Sequence, residues 1–166
     1  MNYLPERVQT ICDQLKRLTV KQALPTPKKW QFKKGQFFYP EEADQDPTPY
    51  AEFDNSTMHW YGPDNHYWFK NEVVVPEEFD GKPLWIKVSS QFEGGEDMRN
   101  PQFLLFVNGE VTQGMDVNHL DVLLSENAKA GDVYKLDVQA YSGTLYHEFN
   151  FSTALLEIDP EIKDLY

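Results

Sequence analysis

The pair Asn108-Gly109 constrains this chain more than any other feature. It separates the apolar run Phe103-Leu104-Leu105-Phe106-Val107 from a return segment beginning Glu110-Val111. A two-residue type I′ turn needs positive φ at both central residues, because its twist then matches the right-handed twist of the strands it joins. Glycine and asparagine adopt that conformation at least cost. The spacing predicts an antiparallel hairpin. A hairpin alone is marginal in water, so a larger sheet must surround it.

The chain downstream of Asp54 supplies that sheet. Short apolar runs alternate with turn residues and predict strands over 57–60, 67–75, 84–89, 103–107, 110–113, 121–124, 133–141 and 146–158. Leu84, Ile86 and Val88, and likewise Val133, Leu136 and Val138, interleave with lysine, aspartate or glutamine, which gives one core face and one wet face. Phe79-Asp80-Gly81-Lys82-Pro83 and Ala128-Lys129-Ala130-Gly131-Asp132 read as further turns. Eight short strands of this kind predict two packed antiparallel sheets, a β-sandwich.

The rest of the chain reads differently. Val8, Ile11, Leu15 and Leu18 recur at spacings of three and four behind Pro5, which predicts an amphipathic helix within 1–20, with Cys12 beside its apolar stripe. Residues 21–54 carry Pro25, Pro27, Pro40, Pro47 and Pro49 and an acidic patch at Glu41, Glu42, Asp44 and Asp46. Such a segment is expected to wrap over the surface as an arm, pinned by Trp30, Phe32, Phe37 and Phe38 and extended only over 29–39. Asp159 followed by Pro160 marks a helix start over 159–166. We therefore expect one domain, with 55–158 as the sandwich, cut from a longer polypeptide within that final helix.

Charge narrows the partners. Fifteen basic residues against 27 acidic ones give a net charge of −12, which repels a nucleic-acid backbone. Lys28, Lys29, Lys33 and Lys34 are the one basic cluster, and beside a strand they read as a solvated face. No apolar run approaches the roughly 20 residues of a membrane span, and the amino terminus lacks the pattern of a secretory signal, so a cytoplasmic location without membrane contact is expected. With Cys12 alone, no internal disulfide can form.

Recognisable chemistry is sparse. Glu41-Glu42, Glu77-Glu78 and Glu96-Asp97 are adjacent pairs in loops, not a couple spaced across a cleft, and His59, His66, His119 and His147 lack metal-ligand spacing. Glu93-Gly94-Gly95-Glu96 is too acidic to hold a phosphate. No catalytic or metal-binding residue is assigned, and the chain itself is expected to need no cofactor. Two polar and aromatic stretches stand out. In the first, Trp60 and Tyr61 could stack on a sugar face while Asp64 and Asn65 bond its hydroxyls, although core packing accounts for the same rings. The second places Gln113, Asp116, Asn118 and His119 just after the hairpin, where Asx turns are the competing explanation.

In order along the chain, Trp60-Tyr61-Gly62-Pro63 leads to Trp68-Phe69, then to Val75-Pro76-Glu77-Glu78-Phe79 with Gly81-Lys82, then to Asn108-Gly109-Glu110 and Gln113-Gly114-Met115-Asp116. This set resembles the N-terminal domain of family-38 α-mannosidases of the cytosolic and vacuolar type, with Tyr61 interrupting the family's Trp-Gly-Pro motif and Thr112 near its usual valine. The same layout also occurs in galactose-binding-like sandwich domains of other glycosidases. The resemblance implies a mainly β, antiparallel jelly-roll sandwich of the galactose-binding-like type that precedes a zinc-dependent catalytic domain. It implies a non-catalytic role: this domain would support that downstream domain of the same polypeptide, help assemble a homo-oligomer, and meet α-mannoside glycans through the parent enzyme. The eight residues from Trp60 to His119 named above would be interdomain or sugar contacts. A freestanding carbohydrate-binding module and a small independent hydrolase are the competing readings.

Overall fold

A computed structural model describes residues 4–90, 102–117, 119–144, 146 and 148–163. Helix α1 (Leu4–Thr19) leads into β1 (Val20–Pro25) and β2 (Lys29–Lys34). A short helix α2 (Pro40–Gln45) precedes β3 (Ala51–Asp54) and β4 (Trp60–Tyr61). Then come β5 (His66–Val74), β6 (Leu84–Ser89), β7 (Gln102–Val107), β8 (Glu110–Met115) and β9 (Asp121–Ser125). The chain continues through β10 (Val133–Tyr141), β11 (Glu148–Phe149), β12 (Ser152–Ile158) and α3 (Pro160–Lys163).

Two antiparallel sheets form the sandwich, one ordered β1-β12-β6-β9 and the other β3-β2-β5-β10-β7-β8, with β4 and β11 pairing separately. The connections from β5 to β6, β6 to β7, β8 to β9, β9 to β10 and β10 to β12 all cross between sheets. This is the expected antiparallel β-sandwich. Its core is aromatic: Trp30, Phe53, Trp60, Phe69, Phe103, Phe149 and Phe151 interlock, with Phe69 and Phe151 stacked 4.0 Å apart. Rings of this size contribute on the order of 2–3 kcal/mol each through burial.

The hairpin forms as the sequence predicts. Asn108 and Gly109 take φ of 53° and 85°, and Val107 pairs with Glu110. Asn108 also binds the neighbouring strand, donating its amide to Lys135 O at 2.8 Å and accepting from Lys135 N at Oδ1, 3.0 Å. A bulge at Thr112 then shifts the register, so Val111 opposes Phe106 while Gln113 opposes Leu105. At the far end, the turns around Gly81 and Gly131 are tied together by Gly81 N to Ala128 O and Ala130 N to Asp80 Oδ1.

Residues 21–54 depart from the expected surface arm. Strand β1 pairs with β12, β2 with β5, and β3 with β2, so this segment builds the edges of both sheets. Its prolines punctuate these strands without preventing them. Pro25 ends an edge strand, Pro40 starts α2, and Pro47 and Pro49 lie in the link to β3. Trp30 enters the core and Phe32 and Phe37 are half-buried, but Phe38 is exposed and pins nothing.

The helix at α1 forms where expected, but its apolar stripe does not enter the core. Val8, Ile11 and Leu18 are exposed, and Leu15 and Cys12 are half-buried. At the other end Asp159 caps α3, its Oδ1 accepting from the amides of Glu161 at 3.0 Å and Ile162 at 3.2 Å. The hydrogen bond from Lys21, foremost, holds the Asp159 carboxyl below the usual carboxylate range.

Candidate functional site

The first predicted stretch forms a tight loop at one end of the sandwich. Trp60 is 1% exposed, packs 4.8 Å from the Phe149 ring and donates Nε1 to Asn150 O. Its ring belongs to the core and offers no face to a sugar. One residue on, strand alternation turns Tyr61 outward, where its ring lies 6.1 Å from that of exposed Tyr146. Gly62 takes φ of 106°, where an L-residue is strained, and a Cβ there would come within 2.2 Å of Asn65 Nδ2 and displace that amide. Asn65 Nδ2 in turn donates to Tyr61 O.

The loop is fastened to the end of β10. Asp64, with φ of 54°, donates its amide to Gly143 O at 2.7 Å and accepts from the Tyr141 hydroxyl at 3.1 Å. That hydrogen bond is the main reason the Tyr141 hydroxyl titrates above its ordinary range. Asn65 and Ser142 bond each other through both backbone and side chain. Asp64 and Asn65 therefore spend polar groups on holding the loop, while Tyr61 and Tyr146 remain the exposed faces.

The second stretch lies at the same end of the six-stranded sheet. His66, Tyr141 and Gln102 form one cross-strand row, and Met115 pairs with Phe103 beside it. Three strand spacings separate β5 from β8, so the two stretches stand roughly 14 Å apart and do not merge into one pocket. Gln113 is half-buried on β8. Asp116 Oδ1 accepts from both His119 N and His119 Nδ1 at 3.0 Å, an Asx-type turn that leaves the His119 ring exposed. Asn118 lies outside the described residues, as do His147, Glu96-Asp97 and the glycine pair at 94–95.

A charged cluster on the outer face of the same sheet brings the basic cluster against the acidic patch, two groups that the sequence reading left unconnected. Lys33, expected on a solvated face, is only 3% exposed. Its ammonium group donates to Ala43 O, lies 3.5 Å from the Asp46 carboxylate and sits 4.6 Å from the centre of the Tyr50 ring. The strand's period of two puts Lys33 on the outer face, and residues 35–50 then fold over that face as a strap. Under the strap a second small core joins Ala43, Trp68 and Phe106. Adjacent residues Trp68 and Phe69 thus point to opposite faces and are both buried.

Beside Lys33 a row crosses the sheet from Glu52 through Gln31, Lys70 and Asp137 to Phe106. Burial, only partly offset by Lys70, pushes the Asp137 carboxyl up to about 6. At the open end of the row lies a groove of about 500 Å³, lined by Lys29, Gln31, Tyr50, Glu52, Lys70 and Glu72 among others. Asp137 is not among its lining residues. Lys29 and Lys70 balance Glu52 and Glu72 there, and Lys29 pairs directly with Glu52 at 3.0 Å. Among the described residues no group of three His, Cys, Asp or Glu could hold a metal, and no helix is long and apolar enough to cross a membrane.

Comparison with known proteins places this fold. No family model and no curated protein matches the sequence. Among solved structures the chain is similar to Ruminococcus gnavus β-glucuronidase, with a TM-score of 0.53 and 13% identity over 85% of this chain and 30% of that one. The same enzyme in complex with D-glucuronic acid gives a TM-score of 0.51 at 14% identity, and with D-glucaro 1,5-lactone 0.51 at 15%, with the same coverage of both chains. The chain therefore spans less than a third of the length of the structures it matches. At these identities the likeness is one of fold, and the fold that this chain shares with part of a glycoside hydrolase is the β-sandwich.

Proposed function

We propose that this chain is a non-catalytic β-sandwich domain of a glycoside hydrolase, which supports a separate catalytic domain. The observation that carries the reading is the coverage: most of this chain matches, and what it matches is less than a third of a β-glucuronidase. The described residues fit the same role. The perturbed carboxyl, Asp137, lies beneath the strap, and the loop carboxylates Asp64 and Asp116 hold turns.

The finer identity, the N-terminal domain of an α-mannosidase, rests on the ordered set from Trp60 to Asp116. Several of those residues hold this fold together: Trp60 fills the core, Gly62 takes positive φ, Trp68 fills the space under the strap, and Asn108-Gly109 turns a hairpin. Zinc, which such a parent would carry, finds no ligand group among the described residues and would belong to the catalytic domain.

The exposed pair Tyr61 and Tyr146 favours a second reading, a freestanding sugar-binding module. Two experiments separate these. Sequencing the reading frame beyond Tyr166 should reveal a catalytic segment, with a histidine and aspartate zinc set for an α-mannosidase or a carboxylate pair for a metal-free retaining hydrolase. A stop codon at that point would sink the accessory-domain reading. Titrating the purified chain with mannosides and glucuronides, while following tyrosine fluorescence and sugar release, should give no turnover, and millimolar saturation abolished by Tyr61→Ala would favour the binding module.

A further inference from the structure

The strap over residues 35–50 is tied to the six-stranded sheet by side chains that rise from the strands beneath it. Lys33 donates to Ala43 O and pairs with Asp46, Gln139 Nε2 donates to Phe37 O at 2.6 Å, and Lys70 donates to Asp44 Oδ1 at 2.6 Å. Under this cover Trp68 and Phe106 are buried. One of the ties is contested. Lys70 on β5 has Asp137 on β10 as its cross-strand partner, and its ammonium stands between two carboxylates, bonded to Asp44 and 3.9 Å from Asp137 Oδ1. That Oδ1 is buried and accepts no hydrogen bond. Two further charges act on Asp137: Glu41 on α2 repels its anion, and Lys135 on β10, itself exposed near Glu72, attracts it weakly. Tyr50 brings a phenol that burial keeps neutral, Phe106 stands opposite on β7 without charge, and Lys33 on β2 faces Asp46.

We propose that the strap is a proton-operated latch. With Asp137 neutral, the Lys70 ammonium serves Asp44 alone and holds α2 on the sheet. With Asp137 ionised, the buried carboxylate claims the same ammonium and repels Asp44 and Glu41, and the strap lifts from Trp68 and Phe106 so that water reaches the anion. Helix α2, at 6 residues, is too short to persist off the sheet, so lifting also opens its own hydrogen bonds. The sandwich beneath stays folded, because its inter-sheet core does not include the strap. Burial foremost, with repulsion from Asp44 and Glu41, pushes the Asp137 carboxyl up to about 6, against roughly 3.9 for a carboxyl open to water. The closed strap therefore binds the proton more tightly than the lifted one, and closure is favoured at low pH. As pH rises through about 6 this preference is lost, and linkage makes opening about tenfold more frequent at pH 8 than at pH 5.

The test is native-state hydrogen exchange of the full 166-residue chain at about pH 5 and pH 8, with each rate divided by the intrinsic chemical rate at that pH. The amides of Glu42, Ala43 and Asp46, which donate to Tyr39 O and Glu42 O, report the strap, and those of β6 and β12 in the opposite sheet report global unfolding. The expected result is that the strap amides exchange faster than those of β6 and β12 at both pH values, and open about tenfold more at pH 8. Asp137→Asn keeps the shape of the side chain and removes its charge, so the rise should vanish. Asp44→Asn leaves Lys70 to Asp137 and removes one repulsion, so the rise should shrink, which keeps the test decisive if Asp137→Asn disturbs the fold. Strap amides that exchange only together with β6 and β12 overturn the proposal, because the strap would then have no motion of its own. Equal opening at the two pH values in the wild-type chain, or a rise that persists unchanged in both variants, overturns it as well.

Discussion

Lys70 and Asp137 stand directly opposite each other across β5 and β10, yet the Lys70 ammonium lies 2.6 Å from Asp44 on α2 and 3.9 Å from Asp137. The cation leans toward the strap and leaves the buried carboxylate short of a partner, with its Oδ1 making no hydrogen bond. Asp137 is 4% exposed, so little solvent compensates.

This geometry fixes a pH dependence. The Asp137 pKa of about 6 exceeds its unfolded value of roughly 3.9, so the folded state binds the proton more tightly. The stability this group contributes is fully present below about pH 4 and is lost as pH rises through about 6. Asp137→Asn should therefore stabilise the protein by about 1–2 kcal/mol at pH 7.5 and by much less at pH 4, as measured by urea unfolding at both pH values. A variant less stable than wild type at pH 7.5 would mean that attraction to Lys70 outweighs the cost of burial.

Lys33 is predicted to be the main fastener of the strap. Lys33→Ala removes a buried cation from two carbonyls and a carboxylate, at a cost of about 3 kcal/mol. Lys33→Met keeps the packing beneath Tyr50 and should cost less. Limited proteolysis should show cleavage within 35–50 in the alanine variant before the sandwich itself is cut.

Gly62→Ala tests the loop beside the exposed tyrosines. The new methyl group must displace Asn65 Nδ2, and an L-residue at φ of 106° is strained besides. A loss of about 2 kcal/mol in thermal unfolding is expected. Asn65→Ala combined with Gly62→Ala should be less than additive, because the first change removes the group with which the second collides.

At the hairpin, Asn108→Ala loses a residue suited to positive φ and the hydrogen bond from Lys135 N. Chemical denaturation should register about 1–2 kcal/mol. Thr112→Ala, at the bulge and exposed, is the control and should change stability by less than about 0.5 kcal/mol.

Sequence by itself determined the elements whose cause is local. Strands β6 and β10 begin and end where the pattern of apolar and polar residues places them, because that pattern requires one buried face. The turn at Asn108-Gly109 and the cap at Asp159 follow from backbone preferences of two or three residues. The loop at Tyr61, Asp64 and Asn65 was legible as a cluster of unusual residues, but which ring faced outward was not. Trp60 and Tyr61 differ by a single step of strand parity, and the pairing of β4 with β11 sets that parity.

Only the tertiary structure decided what required a distant partner. The prolines of 21–54 conceal β1 and β3, because β1 is completed by β12 and β3 joins the sheet only through β2, whose other neighbour, β5, lies farther along the chain. Lys33 looks like a surface lysine because nothing in its neighbourhood announces the strap that closes over it. The reverse holds for α1: its apolar period promises a buried face, and the fold leaves that face open. Local free energy chooses the conformation of each segment, whereas burial belongs to pairs of segments and exists only after they have met.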